Sequence, residues 1–219
     1  MLNFDDVIKS EAIKTYIACA DATLRELGFT DHSFAHVMCV SDRVRYILQT
    51  MGYDARTVEL GQIAGYLHDI GNLVNRKEHS QSGAIMAWSI LHDMGCDPKE
   101  IAVIVSAIGN HDEGTGVPVD PVSAALILAD KADVRRSRVR EKDPTAFDIH
   151  DRVNFSVTKS ELKINEDKTL VKLKLSVDTR YSSVMEYFEI FTERMLLCRK
   201  AANKLGLQFR LFINEQQIM

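Results

Sequence analysis

The sequence predicts a mainly α protein with a small C-terminal β-β-α-β extension. Over residues 4–140, apolar side chains recur near a period of 3.6, and capping residues or glycines bound each repeat. This pattern is typical of successive amphipathic helices. After residue 150 the period changes to two, which is typical of half-buried strands. We therefore expect an all-α domain over residues 1–145 and a small α+β domain over residues 146–219.

Six helices are predicted in the α domain, each from local start and stop signals. The clearest start is Asp97 followed by Pro98, because an aspartate caps free N–H groups and proline fits the first helical position. The predicted helices are 4–28 (ended by Gly28), 33–51 (capped by Asp31 or Ser33, closed by Gly52), 54–71 (capped by Asp54), 82–94 (opened by Ser80 or Ser82), 98–108, and 122–140.

The extension begins after a junction at residues 141–151. Two alternating segments, 152–164 and 169–177, flank a polar turn and predict a β-hairpin. A helix over 182–205 and a strand over 207–213 follow. A sheet this small leaves an edge, so we expect a homodimer formed through it, with a regulatory ligand site as the alternative.

Composition excludes several classes of protein. The 219 residues include 46% hydrophobic and 26% charged residues, as expected of a globular chain, and the net charge of −4 gives no general attraction for nucleic acid. The longest apolar runs are too short to span a bilayer, and the N-terminal segment lacks the basic start of a signal peptide. The four cysteines have no Cys-x-x-Cys spacing. We expect a cytoplasmic protein with reduced thiols.

A series of histidines and aspartates marks the predicted helices as a candidate metal site. Imidazole and carboxylate groups are suitable ligands for Fe, Mn, Zn or Ni, and helices of a bundle can surround one or two ions. A carboxylate has two oxygens, so Asp69 can bridge two ions. The candidates are His36, His68, Asp69, His79, His111 and Asp130.

The order of these residues resembles a known signature. His36, the pair His68–Asp69 and Asp130 match the H…HD…D pattern of the HD-domain superfamily of metal-dependent phosphohydrolases, over residues 30–140. The segment "HSQSGA" after His79 and the segment "NHDEGTGVP" around His111 are similar to elements of its two-metal, HD-GYP-type branches.

The resemblance implies an HD-domain helical bundle with two divalent transition metals, Fe or Mn, with Ni, Zn or Mg as alternatives. It implies that one ion is held by His36, His68, Asp69 and Asp130, and the other by Asp69, His79 and His111. Asp69 and His111 would also serve the reaction, in which metal-activated water attacks a phosphate ester or anhydride of a small, nucleotide-like substrate.

The basic segment 131–142 supplies candidate phosphate ligands. Lys131 and Arg136 follow Asp130, and an arginine six residues after the last Asp is familiar in several HD hydrolases. Both residues are expected on the helix 122–140. The alternative is a solvated basic helix end. Nucleic acid binding is disfavoured because no aromatic residues interleave the basic ones and the chain is acidic overall.

Other histidines are expected to have structural or solvated roles. A second Leu-His-Asp triplet contains His92 and Asp93, which lie just before the helix-ending Gly95 and are expected on the surface. His32 is assigned to a loop and His150 to the junction.

Two further functions stay open from the sequence alone. A few proteins that resemble this fold use the same ligands in a di-iron oxygenase. A metal-stabilised, non-enzymatic sensor whose extension binds a partner is the third hypothesis.

Overall fold

Nine α-helices and a four-stranded sheet form the protein in the computed structural model, which describes residues 1–219. The helices are α1 Phe4–Lys9, α2 Glu11–Glu26, α3 Phe34–Met51, α4 Ala55–Leu67, α5 His79–Asp93, α6 Pro98–Gly109, α7 Pro121–Lys131, α8 Ile149–Ser156 and α9 Val184–Lys204. The strands are β1 Val157–Ile164, β2 Leu170–Val177, β3 Gln208–Ile213 and β4 Gln216–Gln217. Short 3-10 turns cover Ile70–Leu73, Arg136–Arg138 and Pro144–Ala146. The predicted class, mainly α with a small C-terminal extension, is confirmed.

Helix α7 is the centre of the helical part. Its side chains from Val122 to Ala129 are all buried, and it packs against α3, α4, α6 and α9. Asp120 caps the helix in a capping box with Ser123, and Pro121 occupies the first turn. Because the apolar part of α7 fills the core, its last turn carries two charged residues, Asp130 and Lys131, to a fixed place inside the protein.

The extension packs on this helical core. Its sheet has the order β1-β2-β3-β4, with β2 and β3 parallel and the other neighbours antiparallel. Alternate residues of β2 are buried, and α9 lies between the sheet and α7. Buried apolar residues from both parts belong to one continuous cluster. The domain boundary at residue 145 stays a prediction.

One predicted helix is divided in the structure and another is shortened. The helix expected over 4–28 is two helices, because the Ser10 side chain accepts the N–H of Ile13 and starts α2. The helix expected up to residue 140 ends at Lys131, since the next residues turn so that the buried Asp133 contacts α3. The basic segment is therefore not a helical face.

The start of the extension also differs from the prediction. Residues 149–156, partly assigned to the first strand, form α8, whose first turn is capped by the Asp148 side chain. The strand β1 begins at Val157. A short fourth strand, Gln216–Gln217, pairs with β3, so the extension is β-β-α-β-β. All four cysteines are free thiols, and no helix has both the length and the apolar character needed to cross a membrane.

The close contact between Gly71 and α5 yields a stability prediction. A Cβ on Gly71 would lie 2.0 Å from the carbonyl oxygen of His79 and 2.4 Å from the Gly83 nitrogen. We expect Gly71→Ala to lower the free energy of unfolding by about 2–3 kcal/mol, because the helix backbone must move. Urea denaturation measures the change.

Gly109→Ala is the matched control. Its Cβ would meet only Ala84 and Gln81, at 3.7 and 3.9 Å, and Gly109 ends α6 without a positive φ. This variant should be unchanged or more stable by about 0.5–1 kcal/mol. Equal destabilisation of the two variants would contradict the packing described here.

Candidate metal centre

Four buried histidines point their Nε2 atoms at one another. They lie in the first turn of α3 (His36), at the end of α4 (His68), at the start of α5 (His79) and after α6 (His111). In every ring, Nδ1 donates to a fixed acceptor. The acceptors are Asp133 Oδ2 for His36 (2.8 Å), Gly65 O for His68 (2.8 Å), Arg76 O for His79 (3.1 Å) and Ile108 O for His111 (2.6 Å).

This arrangement requires positive charge at the centre. Carbonyl and carboxylate oxygens only accept hydrogen bonds, so in a neutral ring each Nε2 carries a lone pair. The Nε2 atoms of His36 and His68 are 3.3 Å apart, and those of His79 and His111 are 3.2 Å apart. Facing lone pairs at this distance repel unless a proton or a metal ion lies between them. Such outer hydrogen bonds on Nδ1 are the usual partners of metal-binding histidines.

Two carboxylates complete the first group of donors. Asp69 Oδ2 lies 3.4 Å from His36 Nε2 and 3.2 Å from His68 Nε2. Asp130 Oδ1 lies 3.4 and 3.7 Å from the same two nitrogens. Donor atoms bound at about 2.1 Å to one ion are about 3.0 Å apart in an octahedron and about 3.4 Å apart in a tetrahedron. The donor set therefore fits a first-row divalent ion.

A second group of donors shares Asp69. The other oxygen of this carboxylate, Oδ1, lies 3.5 Å from His79 Nε2, which faces His111. Donor atoms of His68, Asp69 and His111 also lie within 4.8 Å of one another. The two oxygens of Asp69 therefore face different groups of donors.

The protonation states of both aspartates and of His79 and His111 suit metal ligands. Burial raises the pKa of Asp69, but His68 and its other neighbours lower it more, so this pKa lies well below its usual range. Asp130 behaves in the same way, with Lys131 as the main lowering charge. Burial lowers the pKa of His79 and, more strongly, of His111. The pKa of His68 is raised to about 10, because Asp69 and Asp130 outweigh its burial. In the metal-free protein, a proton on His68 therefore supplies part of the positive charge that the facing nitrogens require.

A chain of charges ties Asp130 to the extension. Asp130 Oδ2 accepts from Lys131 Nζ at 2.8 Å, and Lys131 Nζ also donates to Glu113 Oε2 at 2.9 Å. Glu113 in turn pairs with Arg194 of α9. Burial raises the pKa of Glu113, but Lys131 and Arg194 lower it further, so it lies well below its ordinary value. Lys131 occupies Oδ2 of Asp130 and leaves Oδ1 facing the histidines.

The structure brings all six predicted metal candidates together. Of the two predicted phosphate ligands, Lys131 lines the adjacent cavity and Arg136 does not. Arg136 Nε donates to Phe155 O at 2.6 Å, and its guanidinium lies 4.4 Å from the Phe155 ring centroid and 5.2 Å from that of Tyr181. The expectation for Arg136 came from its spacing from Asp130 and placed it on a helix up to residue 140, but that helix ends at Lys131. Arg138, which is buried, lines the cavity instead.

Sequence reasoning missed several residues around the centre. His32, assigned to a loop, lines the cavity with Nδ1 held by Thr30 O at 2.7 Å, and burial lowers its pKa well below the usual value. Its spacing of four residues from His36 was the available signal. Asp133 and Arg194 had no local signal, because each acts across the fold. His92 and Asp93 are exposed, as expected, and the His92 ring stacks on Trp88.

A cavity of about 260 Å³ opens beside the donors. Four cationic side chains line it, together with four carboxylates: Arg76, Lys131, Arg138 and Arg194, and Asp69, Asp130, Asp148 and Asp151. Phe29 and Phe191 supply an apolar wall. Side chains of α8 and its cap, together with those of α9, complete the lining, so the extension forms part of the cavity.

The fold and the site thus define a mainly helical protein with a buried His/Asp cluster beside a cavity lined by charged side chains. No protein-family model matches the chain. The chain is 24% identical over 191 residues to the uncharacterized protein MJ1020 of Methanocaldococcus jannaschii, covering 76% of this chain and 73% of that protein. Among solved structures it is similar to a predicted HD superfamily hydrolase from an uncultured Thermotogales bacterium, with 22% identity, a TM-score of 0.46, and coverage of 61% of this chain and 75% of that one.

Removal of one donor tests the centre. We expect His68→Ala to lose bound metal, since His68 Nε2 contacts both carboxylates of the first group. The control is His92→Ala, which removes the exposed histidine of the other Leu-His-Asp triplet. Mass spectrometry of Mn²⁺-loaded, desalted protein measures metal per chain, with circular dichroism to confirm folding. Equal metal content in the folded His68→Ala and His92→Ala proteins would contradict the assignment.

The charge chain predicts a large loss of stability. Glu113→Gln leaves the buried Lys131 with one carboxylate fewer and should lower the free energy of unfolding by about 3 kcal/mol. Asp5→Asn breaks an exposed pair with Lys9 and should change it little. Urea denaturation measures the free energy of unfolding of the two variants. A similarly small decrease in both would show that the ion pairs from Asp130 to Arg194 do not stabilise the fold.

Proposed function

We propose that this protein is a metal-dependent, HD-type phosphohydrolase that cleaves a phosphate ester or anhydride of a small nucleotide-like substrate. The observation that carries the proposal is the set of four imidazoles, each fixed through Nδ1, whose Nε2 atoms converge on two ionised aspartates. The three arginines and the lysine in the cavity beside this set support an anionic substrate.

The donors divide into two groups that would hold two ions. The first would be held by His36, His68, Asp69 and Asp130, and the second by Asp69, His79 and His111. Imidazole and carboxylate ligands favour Fe or Mn, with Ni, Zn or Mg as alternatives. A bound divalent ion lowers the pKa of water and polarises a phosphoryl oxygen, which supplies the nucleophile and stabilises developing charge.

The protein's own side chains would bind and orient the substrate. Arginine binds phosphate through paired N–H donors and lysine as a point charge. Lys131 uses two donors on Asp130 and Glu113, which leaves its third for a phosphate oxygen. The Phe29 and Phe191 side chains offer an apolar wall for a base or another flat group, and the cavity volume suits a substrate of about mononucleotide size.

Asp69 and His111 have the most direct proposed roles in the reaction. Asp69 is ionised and would hold both ions, whose charge would stabilise the attacking and leaving oxygens. His111 keeps Nδ1 on Ile108 O, and its Nε2 would hold the second ion beside the reacting groups. A thiolate nucleophile is disfavoured, because burial raises the pKa of Cys198 to about 12 and also raises that of Cys39.

The same donors would also suit a di-iron oxygenase, and oxygen uptake separates the two reactions. A non-enzymatic sensor is the less favoured role, because the cavity opens directly onto the donors.

The proposal is tested by assaying Mn²⁺- and Fe²⁺-loaded protein on phosphomonoesters, phosphodiesters and nucleotides, with an oxygen electrode in parallel. We expect hydrolysis without oxygen uptake, a loss of at least about 100-fold in Asp69→Ala because the bridging ligand is gone, and full activity in Asp93→Ala. Substrate-dependent oxygen uptake, or hydrolysis that survives both chelation and Asp69→Ala, would overturn it.

A further inference from the structure

The two donor groups differ in what already contacts them. In the first group, the Nε2 atoms of His36 and His68 face only each other and the two carboxylate oxygens, Asp69 Oδ2 and Asp130 Oδ1. No arginine, lysine or amide group donates to these four atoms. No cationic or amide side chain therefore has to leave the first group before a metal ion binds.

The second group is capped by two N–H donors. Arg76 Nη1 lies 3.3 Å from His79 Nε2, and Asn72 Nδ2 donates to Asp69 Oδ1 at 2.9 Å. His79 Nδ1 already donates to Arg76 O, so Nε2 is the acceptor for the guanidinium. An imidazole nitrogen has one in-plane lone pair, which cannot serve Arg76 and a metal ion together. The guanidinium supplies positive charge at this position in place of an ion.

Arg76 is placed so that it can move. It is half-buried, in the segment between the turn Ile70–Leu73 and α5, and its neighbours Asn75 and Lys77 are exposed. Its guanidinium lies 5.6 Å from the Phe29 ring centroid, on the wall of the cavity. A phosphate in the cavity would offer two charged oxygens, which bind a guanidinium more strongly than one neutral imidazole nitrogen does.

We infer that, in the free protein, the Arg76 guanidinium occupies the position of the second metal ion. A phosphate group in the cavity binds the guanidinium and moves it off His79 Nε2. The second ion and the phosphate then bind together, each favouring the other. This inference rests on the proposed function, since it assigns an order of loading to the same two donor groups. Arg76 thereby links the presence of a phosphorylated substrate to assembly of the complete centre.

The test is a titration of the metal-free protein with Mn²⁺, with and without inorganic phosphate. Calorimetry measures the number and affinity of bound ions, and electron paramagnetic resonance detects a coupled pair. Wild type should bind one tight Mn²⁺ without phosphate. Phosphate should raise the affinity for a second Mn²⁺ at least about tenfold, with the signal of a coupled pair. Arg76→Met should bind two ions without phosphate, because the neutral side chain leaves His79 Nε2 free.

Lys77→Met is the matched control, because it removes one exposed positive charge from the same segment and should behave as wild type. Arg76→Ala repeats the test if Arg76→Met does not fold. Two tight ions in phosphate-free wild type, or a single ion in both folded Arg76 variants, would overturn the inference and leave the proposed function intact. No bound Mn²⁺ in any of these proteins would instead overturn the proposed function.

Discussion

The candidate metal centre depends on one constraint: the Nδ1–H group of each of its four histidines donates a hydrogen bond to a fixed oxygen acceptor. Three of the four acceptors are carbonyl oxygens three residues earlier in the chain. For His68 and His111 these carbonyls belong to the last turns of α4 and α6, where helices leave carbonyl groups without an intrahelical partner. The ends of the helices thus orient the rings, and the converging Nε2 atoms create a demand for positive charge that a proton, a guanidinium or a metal ion can meet.

Most of the helical fold could be predicted because its signals are local. Asp54 and Asp97 cap the helices they were expected to cap, and Gly52 ends α3. The end of α7 could not be predicted, because the chain after Lys131 has no local breaker. The deciding contact is a tertiary one, between Asp133 and His36, which are 97 residues apart. For α8, the alternation of apolar residues suits a strand, but Asp148 at its cap favours a helix.

The sequence was sufficient to predict which His and Asp side chains form the site. It was not sufficient to predict the residues that orient these side chains and line the cavity. Histidine and aspartate beside apolar residues are conspicuous in a sequence, whereas the partners that orient them are ordinary residues. Glu113 matters only because α9 brings Arg194 to it, and Arg76 only because the turn after Asp69 brings it to His79. Arg136 illustrates the converse: its chemistry suits phosphate, but Phe155 and Tyr181 hold it elsewhere. The extension, which has no motif, supplies part of the cavity.

Anomalous X-ray diffraction from crystals of Mn²⁺-loaded protein tests the central claim most directly. The account predicts a peak about 2.0–2.3 Å from the Nε2 atoms of His36 and His68, with Asp69 and Asp130 as further ligands and the Nδ1 hydrogen bonds unchanged. Absence of a peak among these donors, or an ion bound through Nδ1 after the rings have turned, would contradict it.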